Sequence, residues 1–215
     1  MKKILLVMLL LFVTGCSNNE ELPDVNEDAI EDVIDKEENE VEKDGLIMIE
    51  IVLEDNRTIK LELYPEKAPK TVENFLKLID SKYFDGTVFH RVIANFMIQT
   101  GGYTVTDTEI KELPKTKAIY GEFKSNGFAL NDITHEVGVI SMARTSVKDS
   151  ATGQFFICTG DSPHLDGDYA AFGKVVDEAS LEVVMNINLA PTQNVGGHFS
   201  DFAFPIIRIK TIKRS

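Results

Sequence analysis

At 215 residues, the chain has room for one domain, or for one domain with tails. Its 43% hydrophobic and 27% charged residues fit a globular protein, and a formal net charge of -13 argues against nucleic acid as a partner. That charge is unevenly spread: Ser17 to Asp44 holds 13 acids and 2 lysines, whereas Gly45 to Ser215 carries a net of only -4.

The chain begins MKKILLVMLLLFVTGC. Lys2 and Lys3 precede an apolar run from Ile4 to Val13 that ends in small residues. This reads as a secretory leader over 1–15, shorter than the roughly 20 apolar residues a spanning helix needs. The sequence Val13-Thr14-Gly15-Cys16 resembles the lipobox of bacterial lipoproteins. That resemblance implies cleavage before Cys16, alkylation of its thiol with diacylglycerol, and attachment to the extracytoplasmic face of a cell membrane. Two acyl chains suffice for stable anchoring, since each buried methylene contributes about 0.8 kcal/mol.

Residues 16–44 follow as an acidic tether without an aromatic residue, whose like charges favour an extended, disordered chain. As a coil it would span roughly 30 Å, and fully stretched about 90 Å. A short amphipathic helix around Val25 to Val33 is the alternative. The other cysteine, Cys158, lies in the apolar run FFICT and reads as a small buried hydrophobe.

The domain spans 45–215. Ile47, Ile49, Ile51 and Leu53 alternate with other residues, as do Ile59, Leu61 and Leu63, with Glu54 to Arg57 as the turn of a hairpin. The period then changes. Val72, Phe75, Leu76 and Ile79 recur at helical spacing, predicting a helix from about Pro69 to Ser81 with Pro69 in its first turn. Short apolar runs at 88–93, 96–99, 137–142, 154–159 and 170–176 predict strands. A second helical pattern covers about 178 to 189, and a last strand lies near Pro205 to Ile212. Many short strands with few helices suggest a closed antiparallel barrel whose ends the helices cap.

Within this pattern, Arg91 stands out. Its neighbours are Phe89, Val92, Ile93, Phe96, Met97 and Ile98, with no acid nearby in sequence, and a charge in apolar surroundings is costly unless something pairs with it. Met97 and Gln99 share a strand face, as do Gln154 and Phe156. Phe96, Met97, Phe156 and Leu165 could line a hollow the size of a pyrrolidine ring, with Arg91 and Gln99 as donors at its wall. Taken singly, the apolar residues read as core and the glutamines as surface groups. Only together do they read as a site. His90 reads as a structural histidine with its hydrogen bonds satisfied.

The segments FDGTVFHRVIANFMIQTGG, GVISMARTSVKDSATGQFFICT and PHLDGDYAAFGKV resemble, in this order, the cyclophilins, the barrel-fold peptidyl-prolyl isomerases. The resemblance covers nearly all of residues 45 to 212. It implies a mainly β fold, a closed eight-stranded antiparallel barrel capped by two helices, and isomerisation of X-Pro bonds without cofactor or metal. It assigns the catalytic role to Arg91 and the proline pocket to Phe96, Met97, Phe156 and Leu165. Gln99, Gln154 and the backbone of Arg144 would hold the substrate main chain, and Ala143 would floor the neighbouring subsite. His164 stands where many animal cyclophilins carry Trp, which implies weak inhibition by cyclosporin. Tyr169, a weaker pocket member, stands where they usually carry His, and Arg144 where they carry Asn; His164 and Tyr169 are both counted with the substrate-binding residues. The segment 103–123 departs further, having fewer glycines and more charge than the Gly/Thr-rich loop of relatives.

The expected partners are proline-containing unfolded or exported polypeptides and, through Cys16, the membrane; the chain is expected to act as a monomer. A tethered module that binds Pro-containing segments without catalysis is the alternative, against which Arg91 counts, since a pure binder has no need of it. A metallohydrolase is disfavoured, because His135-Glu136 and Asp166-Gly167-Asp168 lack ligand spacing such as HExxH.

Overall fold

The computed structural model describes residues 47–106 and 109–215. The expected leader over 1–15, the expected lipidation site at Cys16 and the expected tether to residue 44 lie outside the described residues.

β1 (Ile47–Leu53) and β2 (Thr58–Leu63) form the expected hairpin, with Ile49 opposite Leu61 and Ile51 opposite Ile59. The alternation seen in sequence is the burial pattern: Ile49, Ile51, Leu53, Ile59, Leu61 and Leu63 are all essentially inaccessible. At the turn, Asn56 takes the left-handed conformation (φ 68°), which its short polar side chain tolerates, and the Asp55 carboxylate accepts from the Arg57 backbone N–H at 3.0 Å.

α1 (Pro69–Asp80) starts with Pro69 and buries Val72, Phe75, Leu76 and Ile79. Its own N-cap position, Ala68, supplies no side-chain acceptor. Glu122 does so from a distant loop: its carboxylate accepts from Lys70 N (2.9 Å), Thr71 N (2.8 Å) and Thr71 Oγ1 (2.8 Å). A carboxylate suits the positive end of a helix, where free N–H groups need acceptors. Inside, Phe75 meets Phe84, Phe155 and Phe172 at centroid distances of 5.1, 5.2 and 5.0 Å.

The remaining main strands are β3 (Arg91–Ile93), β4 (Met97–Thr100), β7 (Val139–Met142), β8 (Phe155–Cys158), β9 (Ala171–Val175) and β12 (Ile209–Arg214). With β1 and β2 they make one antiparallel eight-stranded sheet in the order β12-β1-β2-β9-β7-β8-β4-β3. The expected closed barrel is corrected here to an open half-barrel: no ladder joins the outer strands β12 and β3. The chain running into β3 meets the chain running into β12 before either strand begins, through an isolated bridge between Val88 and Arg208. Phe89 N donates to Ile207 O (3.1 Å) and Ile209 N to Thr87 O (2.8 Å). β3 then extends for only three residues, turned by Asn95 at φ 58°.

α2 (Glu178–Asn188) is capped by Asp177, whose side chain accepts from Ser180 N at 2.7 Å. Its last residue, Asn188, accepts from Asn95 N (3.1 Å) and Thr159 Oγ1 (2.8 Å), so it holds the β3–β4 turn against the end of β8. Two small hairpins were not foreseen: β5 (Tyr103–Val105) with β6 (Ile110–Glu112), and β10 (Thr192–Gln193) with β11 (Phe202–Ala203).

Candidate active site

The strand period of two divides β4 and β8 between two clusters. Ile98, Phe155 and Ile157 point into the main core. Met97, Phe156 and Cys158 point the other way and pack with Leu165, against which Ile93, Phe96, Ala143 and Tyr169 lie partly buried. Register does the rest. Arg91 is opposite Gln99, Gln99 opposite Phe156, and Phe156 opposite Ser141. Residues opposite one another have Cβ atoms about 4.5–5.5 Å apart, so β3, β4, β8 and β7 present one continuous row.

That row borders a cavity of about 100 Å³ lined by Arg91, Phe96, Met97, Gln99, Ala143, Arg144, Phe156, Leu165 and Tyr169. That small volume suits a small ring better than a large aromatic side chain. The floor is apolar: Met97, Phe156 and Leu165 are 1, 5 and 7% exposed. The polar wall is a chain of donors. Arg91 Nη1 donates to Gln99 Oε1 at 3.4 Å, and Gln99 Nε2 donates to Gln154 Oε1 at 2.9 Å. Among the described residues Arg91 has no ion-pair partner. Among the described residues its side chain bonds only to a neutral amide, at a long 3.4 Å, so the guanidinium retains donors for a ligand.

Nine of the eleven site residues expected in the domain thus line one cavity. The other two lie close by. Gln154 lines the adjoining groove and is bonded to Gln99. His164 stands exposed in a short 3-10 turn, Pro163–Leu165, with its ring 5.4 Å from that of Phe96. The side chain of Arg144 was not foreseen as part of the wall. It lies over the Tyr169 ring at 4.4 Å and over Phe123 at 5.2 Å.

Sequence reasoning also missed what stands behind Phe156. The buried His135 ring stacks 6.2 Å from it, with Nδ1 at 2.9 Å from Asp166 Oδ1 and Nε2 at 3.1 Å from Ser141 Oγ. Burial pushes the His135 imidazole below its ordinary value against the pull of Asp166. Nothing in sequence links His135 to Phe156, since the two meet only through sheet pairing. Burial also pushes the Cys158 thiol up to about 12, with Asp166 and Asp161 adding to the effect, so it stays protonated and unreactive.

An apolar slot walled by two guanidinium groups, Arg91 and Arg144, and a row of amides, with no activated nucleophile among the described residues, defines a site suited to gripping a small ring and polarising the amide beside it. Comparison with known proteins identifies the class. The model of the family "Cyclophilin type peptidyl-prolyl cis-trans isomerase/CLD" matches residues 48–213. A peptidyl-prolyl cis-trans isomerase of Acinetobacter baylyi is 41% identical over 145 residues, 65% of this chain and 71% of that protein. Peptidyl-prolyl cis-trans isomerase B of Bacillus subtilis is 38% identical over 147 residues, 64% and 87% of the two chains. Among solved structures, a cyclophilin type peptidyl-prolyl cis-trans isomerase of Cryptosporidium parvum superposes with a TM-score of 0.60 at 26% identity, covering 79% of this chain and 98% of that one. The chain belongs to the cyclophilin-type peptidyl-prolyl cis-trans isomerase family.

Proposed function

We propose that this chain isomerises X-Pro bonds of unfolded, exported polypeptides while anchored through Cys16 to the outer face of a cell membrane, and that it works as a monomer. Isomerisation itself is the activity of the family to which the chain belongs. The anchor and the destination rest on the leader, on Val13-Thr14-Gly15-Cys16 and on the acidic stretch that follows.

The chemistry asks little of the protein. Delocalisation of the nitrogen lone pair sets a rotational barrier of about 18–20 kcal/mol. The two X-Pro isomers differ by about 1 kcal/mol yet exchange over tens to hundreds of seconds. Seated over Met97, Phe156 and Leu165, a prolyl ring is fixed while the residue before it rotates. As the bond twists, the lone pair localises on the prolyl nitrogen, and Arg91 at the cavity wall is placed to donate to it. That interaction is stronger in the twisted state than in the planar one, which is the condition for acceleration. Gln99 accepts from the Arg91 guanidinium at 3.4 Å and donates to Gln154 at 2.9 Å, which ties Arg91 into the row of amides beside the cavity. A related C. parvum structure was determined in the presence of the dipeptide Ala-Pro, which supports a proline-containing ligand here.

The observation that carries this reading is the unpaired guanidinium of Arg91 beside an apolar cavity of about 100 Å³. Exchange NMR on an X-Pro peptide tests it: the wild-type domain should accelerate exchange and Arg91→Ala should lose most of that effect. Equal rates with and without the wild-type protein would leave only a binding role. For the anchor, Cys16→Ala should move the protein from the membrane to the soluble fraction, and membrane retention would refute lipidation.

A further inference from the structure

Beside the proline cavity lies a larger groove of about 330 Å³, and the two share Gln99, Ala143 and Arg144. Each residue of an extended chain advances at most about 3.6 Å. A peptide whose prolyl ring fills the cavity therefore brings a side chain from within two residues of the proline into the groove. Three ionised groups line it: Glu112, Lys115 and Arg144. Glu112 already has an opposite charge, Lys115, at 3.8 Å. Arg144 has none among the described residues.

The guanidinium of Arg144 is nevertheless held in place. Nε donates to Asp168 O (3.0 Å) and Nη1 to Thr145 O (2.8 Å), both neutral carbonyls. Tyr169 and Phe123 hold its face at 4.4 and 5.2 Å. The nearby Asp168 carboxylate is turned to Ser125 Oγ. A stacked guanidinium is preorganised, so little side-chain entropy remains to be lost when an anion reaches it. With Glu112 countered by Lys115, the groove offers a net positive charge at the end nearest the proline.

We propose that the Arg144 side chain determines specificity, favouring substrates with Glu or Asp within two residues of the proline over those with neutral or basic residues there. The proposal rests on the isomerase reading and names the substrate class of the same site. It is tested by exchange NMR on peptides that differ only in Glu, Gln or Lys, placed in turn at each of the two positions before the proline and the two after it. For the wild-type protein, kcat/KM should favour Glu over Gln at one of these positions by about two- to fivefold at low salt, the scale of an exposed ion pair. The preference should shrink in 0.5 M salt, where the screening length is under about 10 Å. Arg144→Asn should bring the Glu-to-Gln ratio to about one and Arg144→Lys should restore part of it. The readout is a ratio within each protein, so a general loss of activity cancels. A wild-type ratio of one at every one of these positions, a ratio unchanged by Arg144→Asn, or a preference for Lys would overturn the proposal, the last assigning the groove to Glu112. Failure to accelerate any peptide would instead refute the isomerase reading.

Discussion

His90 should make the fold acid-sensitive in a defined window. Its ring is 4% exposed, with centroids 4.7 Å from Tyr103 and 6.4 Å from Phe199, and Nδ1 has no hydrogen-bond partner. Protonation would place a charge in that buried site; burial pushes the imidazole from 6.5 down to about 4, against hydrogen bonding to Val88 and Gln154 and with the positive charges of His198 and Arg91 adding to the effect. Unfolding frees the ring to take up a proton at its ordinary value, so between these limits the unfolded chain binds more protons than the folded one. The stability that follows is fully present above pH 6.5 and is lost as pH falls through about 4. At about 1.4 kcal/mol per tenfold change in proton affinity it amounts to about 3 kcal/mol. Urea denaturation of the domain from pH 7.5 to pH 4 measures it. His90→Phe, which keeps a ring of similar size between Tyr103 and Phe199, should flatten the pH dependence by about that amount whatever its effect at pH 7.5. His135 is shifted in the same direction, which is why the comparison is the difference between the two proteins. Parallel curves for wild type and variant would refute the reasoning.

Two further substitutions probe how the fold supports the site. Glu122→Ala removes the acceptor of two backbone N–H groups and one hydroxyl at the start of α1 and should cost about 2–3 kcal/mol in denaturant unfolding. Glu122→Gln, which keeps an acceptor oxygen, should cost less, and a loss under about 0.5 kcal/mol for the alanine would contradict the capping role. Gly160→Ala would place its Cβ 2.1 Å from Asn95 O, forcing aside the turn that carries Phe96. It should lower stability by about 1–3 kcal/mol and raise KM for an X-Pro peptide; wild-type values of both would show that the turn gives way freely.

Much of the scaffold was legible in local periodicity. The β1–β2 hairpin and α1 follow from spacings of two and of 3.6, and the shared face of Met97 and Gln99 follows from the strand period alone. What periodicity does not carry is which strands become neighbours. β9 lies between β2 and β7, and Phe156 reaches Gln99 from 57 positions along the chain, a juxtaposition visible in sequence only through the likeness of whole segments to a family. Alternation tells which face is buried, not whether the outer strands meet, so a closed barrel was expected where β12 and β3 form no ladder. Glu122 offers no local sign of its role, because the N–H groups it satisfies lie some 50 residues earlier. The β5–β6 hairpin was hidden because Tyr103, Val105 and Ile110 alternate amid Thr, Asp, Glu and Lys.

Arg91 is proposed to act on the twisted amide and not merely on the bound peptide. The most direct measurement is kcat and KM for one X-Pro peptide with wild type, Arg91→Lys and Arg91→Ala, alongside the fold stability of each. Removal of one preorganised donor predicts a fall in kcat of about 10²- to 10³-fold for Arg91→Ala, with KM and stability little changed and the lysine variant intermediate. A variant that keeps wild-type kcat while KM rises would mean that Arg91 only holds the substrate, and the catalytic role assigned to it would be wrong.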